Sequence, residues 1–166
     1  MSSTLGFPID RRSALMLGGG AALAAVSATA AGAADATLQV ELRGVIDEFT
    51  RRVHARDLAA IDLFDPVDCL LVGSAVDELC IGRDAIRAHL EGYYAMPLRI
   101  GFSWRRTLAG REGAGAAWLW SEGEVLLDGD DGKTSRSPYR LACLFARRDG
   151  AWRIRLFSGS EPTADG

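Results

Sequence analysis

The sequence predicts an α+β fold in which three helices pack on a curved, mostly antiparallel sheet. Apolar residues recur at helical spacing in the first half of the chain, whereas the second half consists of strand-like segments separated by turns that contain Gly and Asp. Helices and strands segregated in this way are typical of α+β domains. With 166 residues, the chain is expected to form one domain with a sizeable core.

The first two predicted helices occupy the start of the domain. One begins near Leu38, with Thr37 as a plausible N-cap, and ends near Arg56. Its apolar face consists of Leu38, Leu42, Val45, Ile46, Phe49 and Val53. Asp57 then caps a short helix over 58–64, which must end before Pro66 because proline disfavours helical geometry in the preceding residue.

A hairpin and a third helix follow. Two short apolar strands, 68–74 and 79–82, are joined by a polar turn over 75–78. After Gly82 the pattern returns to that of a helix, which continues to Tyr94.

Four longer strands complete the chain, at 98–108, 114–127, 137–148 and 151–160. Asp149-Gly150 is a strong hairpin signal, because both residues tolerate the positive φ angles of a type I′ turn. This turn would pair Trp152 with Arg147, Ile154 with Phe145, Leu156 with Cys143, Ser158 with Leu141 and Ser160 with Tyr139.

The face formed by these pairs changes from apolar near the turn to polar at its far end. We therefore expect the filled core to give way there to a pocket lined by Tyr139, Leu141, Ser158 and Ser160. The alternative is that the two serines merely end the strand.

The opposite face of the same hairpin mixes charged and apolar residues. Its members are Ala142, Leu144, Arg153, Arg155 and Phe157. Large apolar patches on soluble proteins usually mark interfaces, so the sequence favours a homodimer through the sheet.

Residues 1–36 have the layout of an export signal that is removed from the mature protein. Arg11 and Arg12 precede a mildly apolar run that is rich in Gly and Ala and reaches Ala34, with Ala-x-Ala sites that predict cleavage after Ala33 or Ala36. The paired arginines resemble a twin-arginine signal. A periplasmic or secreted domain over 37–162, a tail over 163–166 and no permanent membrane span are expected, with Sec export or a retained anchor as alternatives.

Composition excludes several classes of function. The net charge of −3 comes without the basic stripe that nucleic-acid binding requires. The three cysteines, Cys69, Cys80 and Cys143, lie in apolar stretches, which indicates buried thiols; a Cys69–Cys80 disulfide is the alternative. No spacing indicates a metal site, and no motif indicates a cofactor.

Acid–base chemistry would need a carboxylate in an apolar pocket and a hydrogen-bond donor. Glu122 and Tyr139 fit these roles if Leu127 lies near Thr134, which sets Glu122 across from Tyr139. A slip of one residue would turn Glu122 outward and bring Leu119, Ser121 and Gly123 in. Asp65 is a second candidate base, although a turn residue is the more ordinary role there.

Aromatic residues offer a lining for a flat apolar ligand, or they belong to the core or an interface. These are Tyr93, Tyr94, Trp104, Trp118 and Trp120. The two histidines, His54 and His89, are interpreted as structural or surface residues.

Three segments, GRDAIRAHL, AAWLWSEGEV and PYRLACLFARRDGAWRIRLFSGSEP, resemble the SnoaL-like branch of the NTF2-like superfamily. The resemblance covers roughly residues 38–162 and implies a conical α+β barrel, a deep pocket and dimerisation through the sheet. Members include polyketide cyclases, ketosteroid-type isomerases, dehydratases and domains that only bind. Many carry a His near the end of the last strand, where this chain has Ser158.

Three functional hypotheses follow. The first is an exported pocket protein that binds a small, largely apolar molecule. The second is an isomerase, cyclase or dehydratase that uses a pocket carboxylate and a tyrosine. The third is an interaction domain with a filled core. A carboxylate beside a Tyr or His inside an apolar cavity would favour the second, and a cavity below ~300 Å³ would favour the third over the first.

Overall fold

The computed structural model describes the backbone of residues 21–162 and the side chains of residues 36–162. In chain order the elements are the helix α1 (Ala21–His54), a 3-10 helix (Leu58–Leu63), the strands β1 (Leu70–Val72) and β2 (Leu79–Ile81), the helix α2 (Gly82–Tyr94), and the strands β3 (Leu98–Arg111), β4 (Ala116–Gly129), β5 (Thr134–Arg148) and β6 (Ala151–Ser160). The paired arginines of the predicted export signal and the tail over 163–166 lie outside the described residues.

The six strands form one curved sheet in the order β2-β1-β6-β5-β4-β3. All neighbours are antiparallel except β1 and β6, which are parallel. The sheet does not close, so β2 and β3 are its edges. The predicted α+β fold with three helices on a mostly antiparallel sheet is confirmed.

Helix α1 packs its apolar stripe on the concave face of the sheet. Leu38, Leu42 and Ile46 are fully buried, and Phe49 and Val53 nearly so, as a three- and four-residue repeat on one helix face requires. The helix starts upstream of the expected N-cap, because the residues before position 37 are helical too. No helix in the described part of the chain combines the length and apolarity needed to cross a membrane.

The 3-10 helix begins at the predicted cap. The Asp57 carboxylate accepts a hydrogen bond from Ala59 N at 2.9 Å. Arg56 adopts a positive φ of 57°, which reverses the chain between α1 and this cap. The prediction of a capped short helix at this point is confirmed.

The β5–β6 hairpin turns where the sequence predicts. Asp149 and Gly150 have positive φ angles of 49° and 80°, and the Trp152–Arg147 pair stands in the predicted register. Ile154 pairs with Phe145, also as predicted.

Beyond that point a β-bulge changes the register. Arg155 is an extra residue between two adjacent pairs of the ladder, so Leu156 pairs with Leu144 instead of Cys143. Because side chains alternate between faces, one added residue exchanges the two faces of the strand. Phe157 therefore faces inward, and the predicted inward positions of Leu156, Ser158 and Ser160 are wrong.

The β4–β5 hairpin also differs from the first predicted register by one residue. Gly129 N donates to Lys133 O at 2.8 Å, and Gly132 has a positive φ of 79°, so the strands are joined by a three-residue loop. Consequently Glu122 pairs with Arg140, and Tyr139 pairs with the glycine that follows Glu122. The alternative register, with Glu122 outward, is the observed one.

The space between helices and sheet is filled at one end, which we call the closed end. Its largest fully buried side chains include Phe64, Leu119, Leu141, Phe145 and Ile154. The opposite end, near Tyr139 and the Gly129–Lys133 loop, holds a cavity and is called the open end. All three cysteines are buried free thiols.

Candidate functional site

A cavity of about 240 Å³ occupies the open end, between α1, α2 and the concave face of the sheet. Its apolar lining consists of Phe49, Val53, Leu71, Leu90, Met96, Leu98, Ile100, Phe102, Val125, Leu127 and Phe157. Its polar lining consists of Ser74, Glu78, His89, Tyr93, Tyr139 and Glu161, and Gly73 completes the wall. No Lys or Arg is among the described residues that line it.

The aromatic wall depends on a close approach of β3 to β4. A Cβ on Gly123 would lie 1.9 Å from Ser103 O, so only glycine allows the strands to meet there. The Phe102 ring stacks on Trp104 at 5.4 Å and contacts the Tyr139 ring at 5.1 Å, centroid to centroid. These rings form a continuous apolar surface at one side of the cavity.

Tyr139 brings a hydroxyl group into the cavity. Its side chain is 6% exposed, and a Cβ on Gly159 would lie 1.7 Å from the hydroxyl oxygen, so this glycine makes the room for it. The hydroxyl has no hydrogen-bond partner among the described residues. Burial, with the nearby carboxylates of Glu78 and Glu161, raises the pKa of Tyr139.

Glu78 places a carboxylate in the wall. Its main chain pairs with Gly73, whose nitrogen donates to Glu78 O at 2.8 Å, and its side chain folds back over that glycine. Oε2 accepts from Ala75 N at 2.9 Å, and Oε1 accepts a hydrogen bond from the Tyr93 hydroxyl. Burial acts to raise the pKa of Glu78, but these hydrogen bonds outweigh it and the pKa is lowered.

His89 lies on the inward face of α2. It falls three residues after Ile86 and four before Tyr93, which is the spacing of one helix face. The imidazole packs edge-on against the Tyr93 ring with centroids 4.4 Å apart. Its Nε2 is buried and has no hydrogen-bond partner within the described structure.

The mouth of the cavity is marked by the chain segment that follows β6. The Ser74 hydroxyl donates to Glu161 Oε1 at 3.0 Å, and Met96 at the rim is 41% exposed. Tyr94 lies apart from the main cavity and lines a pocket of about 10 Å³. Burial raises the pKa of Tyr94 to about 12.

The open end therefore presents two carboxylates, two phenols and an imidazole around an aromatic and aliphatic hollow. Such a set can hydrogen-bond a polar group of a ligand while the walls enclose its apolar body. No three His, Cys, Asp or Glu side chains among the described residues stand close enough to hold a metal ion.

The structure places some of the predicted site residues in the cavity wall and others away from it. Tyr93 and Tyr139 line the cavity. Trp104 lies on the inner face behind the wall, where it is 9% exposed, and Leu141 belongs to the filled core. Trp118, Trp120 and Glu122 lie on the outer face of β4, because of the one-residue change in register.

The remaining predicted residues lie outside the cavity. Ser158 and Ser160 are on the outer face after the β6 bulge. Asp65 is fully buried at the closed end, where its carboxylate accepts from Arg148 Nε at 2.8 Å and Val67 N at 2.9 Å. Burial alone would raise the pKa of Asp65, but these partners lower it. Its placement as a pocket base is wrong, and its role is structural.

Glu78 and His89 are members of the site that the sequence did not predict. The helical spacing of Ile86, His89, Leu90 and Tyr93 was the available signal for the histidine. Glu78 carries no periodic signal, because it ends a polar turn and reaches the cavity only by folding back over Gly73.

Comparison with known proteins identifies the class of protein. The sequence profile of the SnoaL-like domain family matches residues 42–164, which is most of the chain, so the protein belongs to the SnoaL-like family. A search of curated proteins found no match.

Solved structures show the same fold at low sequence identity. A candidate scytalone dehydratase from Novosphingobium aromaticivorans aligns with a TM-score of 0.68 at 13% identity, over 76% of this chain and 85% of that one. A candidate dehydratase of the NTF2-like family from Streptomyces avermitilis gives 0.67 at 16%, over 77% and 98%. An NTF2-like protein with a cystatin-like fold from N. aromaticivorans gives 0.65 at 19%, over 89% and 94%.

Proposed function

We propose that the open-end cavity binds a small, largely apolar molecule that carries one polar group. The observation that carries this proposal is the pairing of an aromatic and aliphatic hollow with two polar atoms that lack partners in the described structure, the Tyr139 hydroxyl and His89 Nε2. A polar atom of the cavity wall that has no partner within the protein can form a hydrogen bond with a ligand, which adds affinity.

The volume constrains the ligand. About 240 Å³ lies just below the ~300 Å³ at which drug-sized sites begin, so a molecule of one or two rings is a better fit than a steroid. By volume alone an interaction domain would be favoured. The unpartnered polar atoms inside the hollow favour ligand binding instead.

Filling the cavity tests the proposal. Val125 lines the cavity and is 7% exposed, whereas the next residue, Leu126, faces the opposite side of β4. We expect Val125→Phe to abolish the thermal stabilisation given by small aromatic alcohols and amines, and Leu126→Phe to retain it. Equal stabilisation of both variants would place the ligand elsewhere.

A second candidate function is acid–base catalysis of the dehydratase or isomerase type. The observation in its favour is the Glu78 carboxylate beside Tyr93, with the Tyr139 hydroxyl free to donate to a substrate carbonyl. Glu78 would accept the α-proton, and Tyr139 would stabilise the enolate oxygen. We rank this second because the lowered pKa of Glu78 makes it a weak proton acceptor.

The catalytic candidate predicts exchange of α-protons. Incubation of a small cyclic ketone such as 2-tetralone in D₂O should show protein-dependent deuteration by NMR, which Glu78→Gln abolishes. Glu122→Gln, on the outer face, is the matched control and should leave the exchange unchanged. Equal exchange rates in both variants would exclude Glu78 as the base.

We also propose that the protein dimerises through the outer face of the sheet. Two apolar rows cross this face in register, one made of Ile81, Leu70, Leu156, Leu144 and Trp118, and the other of Leu79, Val72, Ser158, Ala142, Trp120 and Leu108. Leu144 is 46% exposed within them. Leu144→Glu should yield a monomer in sedimentation, whereas Val76→Glu in an exposed turn should not; a monomeric wild type would contradict the proposal.

The proposed site of action is the periplasm or the cell exterior, after removal of residues 1–36 through a twin-arginine-type signal. This rests on the paired arginines and the Ala-x-Ala sites of the sequence. The first buried side chain in the described part is Leu38, so cleavage after Ala36 would leave the described core whole. Intact mass of protein from the native host should show the shorter chain.

A further inference from the structure

Carboxylates outnumber basic side chains in the described lining of the open-end cavity. Its described lining includes the carboxylates of Glu78 and Glu161 but neither Lys nor Arg. Glu78 is kept in its ionised form by hydrogen bonds from Ala75 N and Tyr93. Both carboxylates lie close enough to influence Tyr139, so they act on the same part of the hollow.

The walls suit a cation as well. The rings of Phe49, Phe102, Tyr93, Tyr139 and Phe157 line the hollow, and the face of an aromatic ring attracts a positive charge. An anionic ligand would meet two carboxylates, with the His89 imidazole as the single basic side chain in the described lining, which disfavours it.

The hydrogen-bonding groups of the cavity also suit a cationic ligand. A protonated primary amine has three N–H donors and no acceptor. The cavity offers carboxylate oxygens, the oxygen of the unpartnered Tyr139 hydroxyl and, in one tautomer, His89 Nε2 as acceptors. Tyr139 thus points to a ligand independently of the two carboxylates.

We propose that the cavity selects a small organic cation, a protonated primary amine on an apolar body of one or two rings, over neutral and anionic molecules of the same shape. This rests on the proposed ligand-binding function and adds the chemical class of the ligand. The apolar body fills the Phe102 and Val125 region, and the ammonium group lies at the acidic end beside Glu78.

Calorimetric titration of the full chain with three matched compounds tests this inference. The probes are 2-phenylethylamine, 2-phenylethanol and phenylacetate, which share a ring and differ in charge. We expect the amine to bind on the order of tenfold more tightly than the alcohol, and phenylacetate least. Glu78→Gln should remove the preference for the amine over the alcohol.

Two further variants serve as a control and as a second test of the charge preference. Glu122→Gln on the outer face should preserve the preference for the amine, and Glu161→Gln at the exposed mouth should weaken it several-fold even if Glu78→Gln does not fold. If the alcohol or phenylacetate binds as tightly as the amine, the inference fails while the ligand-binding proposal stands. If none of the three binds, both fail.

Discussion

The closed and open ends of the inner space differ in the hydrogen-bond partners of their polar groups. At the closed end, Asp65 receives hydrogen bonds from Arg148 and Val67 N, and the Trp152 indole donates to Glu41 at 2.8 Å. At the open end, the Tyr139 hydroxyl and His89 Nε2 have no partners among the described residues.

The polar groups of the closed end thus serve the stability of the fold, and those of the open end serve the proposed ligand binding. Polar groups that are satisfied inside the protein stabilise the fold, whereas groups left without partners beside the cavity add little to stability and can form hydrogen bonds with a ligand. Four other side-chain atoms of the described residues are also buried without partners, Thr50 Oγ1, Arg56 Nε, Arg83 Nε and Trp104 Nε1, but none of these residues lines the cavity. Matched substitutions should therefore change the free energy of unfolding more at the closed end than at the open end.

The largest contrast is expected from two leucines on one strand. Leu119 is 1% exposed at the closed end, and Leu127 lines the cavity. Leu119→Ala should lower the free energy of unfolding by about 3 kcal/mol, because it removes packing atoms and opens a cavity in a filled region. Leu127→Ala should cost only about 1 kcal/mol, because its neighbours already border empty space. Urea unfolding measures both; equal losses would mean that the open end is packed as tightly as the closed end.

A smaller contrast is expected from the carboxylates of Asp65, which is fully buried, and Glu78, which is half-buried. Asp65→Asn should cost about 2 kcal/mol at neutral pH, because it removes a charge-assisted hydrogen bond from a fully buried site; the exposure of Arg148 limits the loss. Glu78→Gln should cost less than about 1 kcal/mol, because the amide oxygen can still accept from Ala75 N.

The stability difference between wild type and Asp65→Asn should depend on pH. The pKa of Asp65 is lowered in the folded state, so its contribution is present above the unfolded value of about 3.9 and is lost as the pH falls through the folded value. Denaturant titrations in acid should therefore show the two proteins converging. A difference that stays constant into strong acid would show that the carboxylate charge contributes nothing.

The fold could be predicted from the sequence because the patterns that indicate it are local. The apolar repeat of α1, the cap at Asp57 and the Asp149-Gly150 turn each depend on a few neighbouring residues, and all three stand in the structure as predicted. Helix and strand periodicity therefore sufficed for the α+β class.

The site was harder to predict from the sequence because it depends on strand register. One bulge residue, Arg155, reversed the inward face of β6, and a three-residue loop shifted β5 against β4 by one position. Each event exchanged the faces of a strand, which moved Glu122 and Ser158 out of the pocket. Glu78 reaches the cavity by a backfolded side chain, which no periodic pattern encodes.

The smallest stability change, and the sharpest test of the contrast, is expected from two tyrosines of the open end. Tyr139→Phe removes a hydroxyl without a hydrogen-bond partner in the described structure, so the free energy of unfolding should stay within about 0.5 kcal/mol of wild type. Tyr93→Phe removes the donor to Glu78 and should cost about 1 kcal/mol.

Ligand binding should reverse this order. A ligand that satisfies the Tyr139 hydroxyl loses one hydrogen bond in Tyr139→Phe, so its affinity should fall about fivefold, equivalent to about 1 kcal/mol. Tyr93 already donates to Glu78, so Tyr93→Phe should change affinity less. Calorimetry with the same amine on both variants measures this. A Tyr139→Phe protein that loses stability but keeps full affinity would show that the hydroxyl serves the fold, and the distinction between the two ends would then fail.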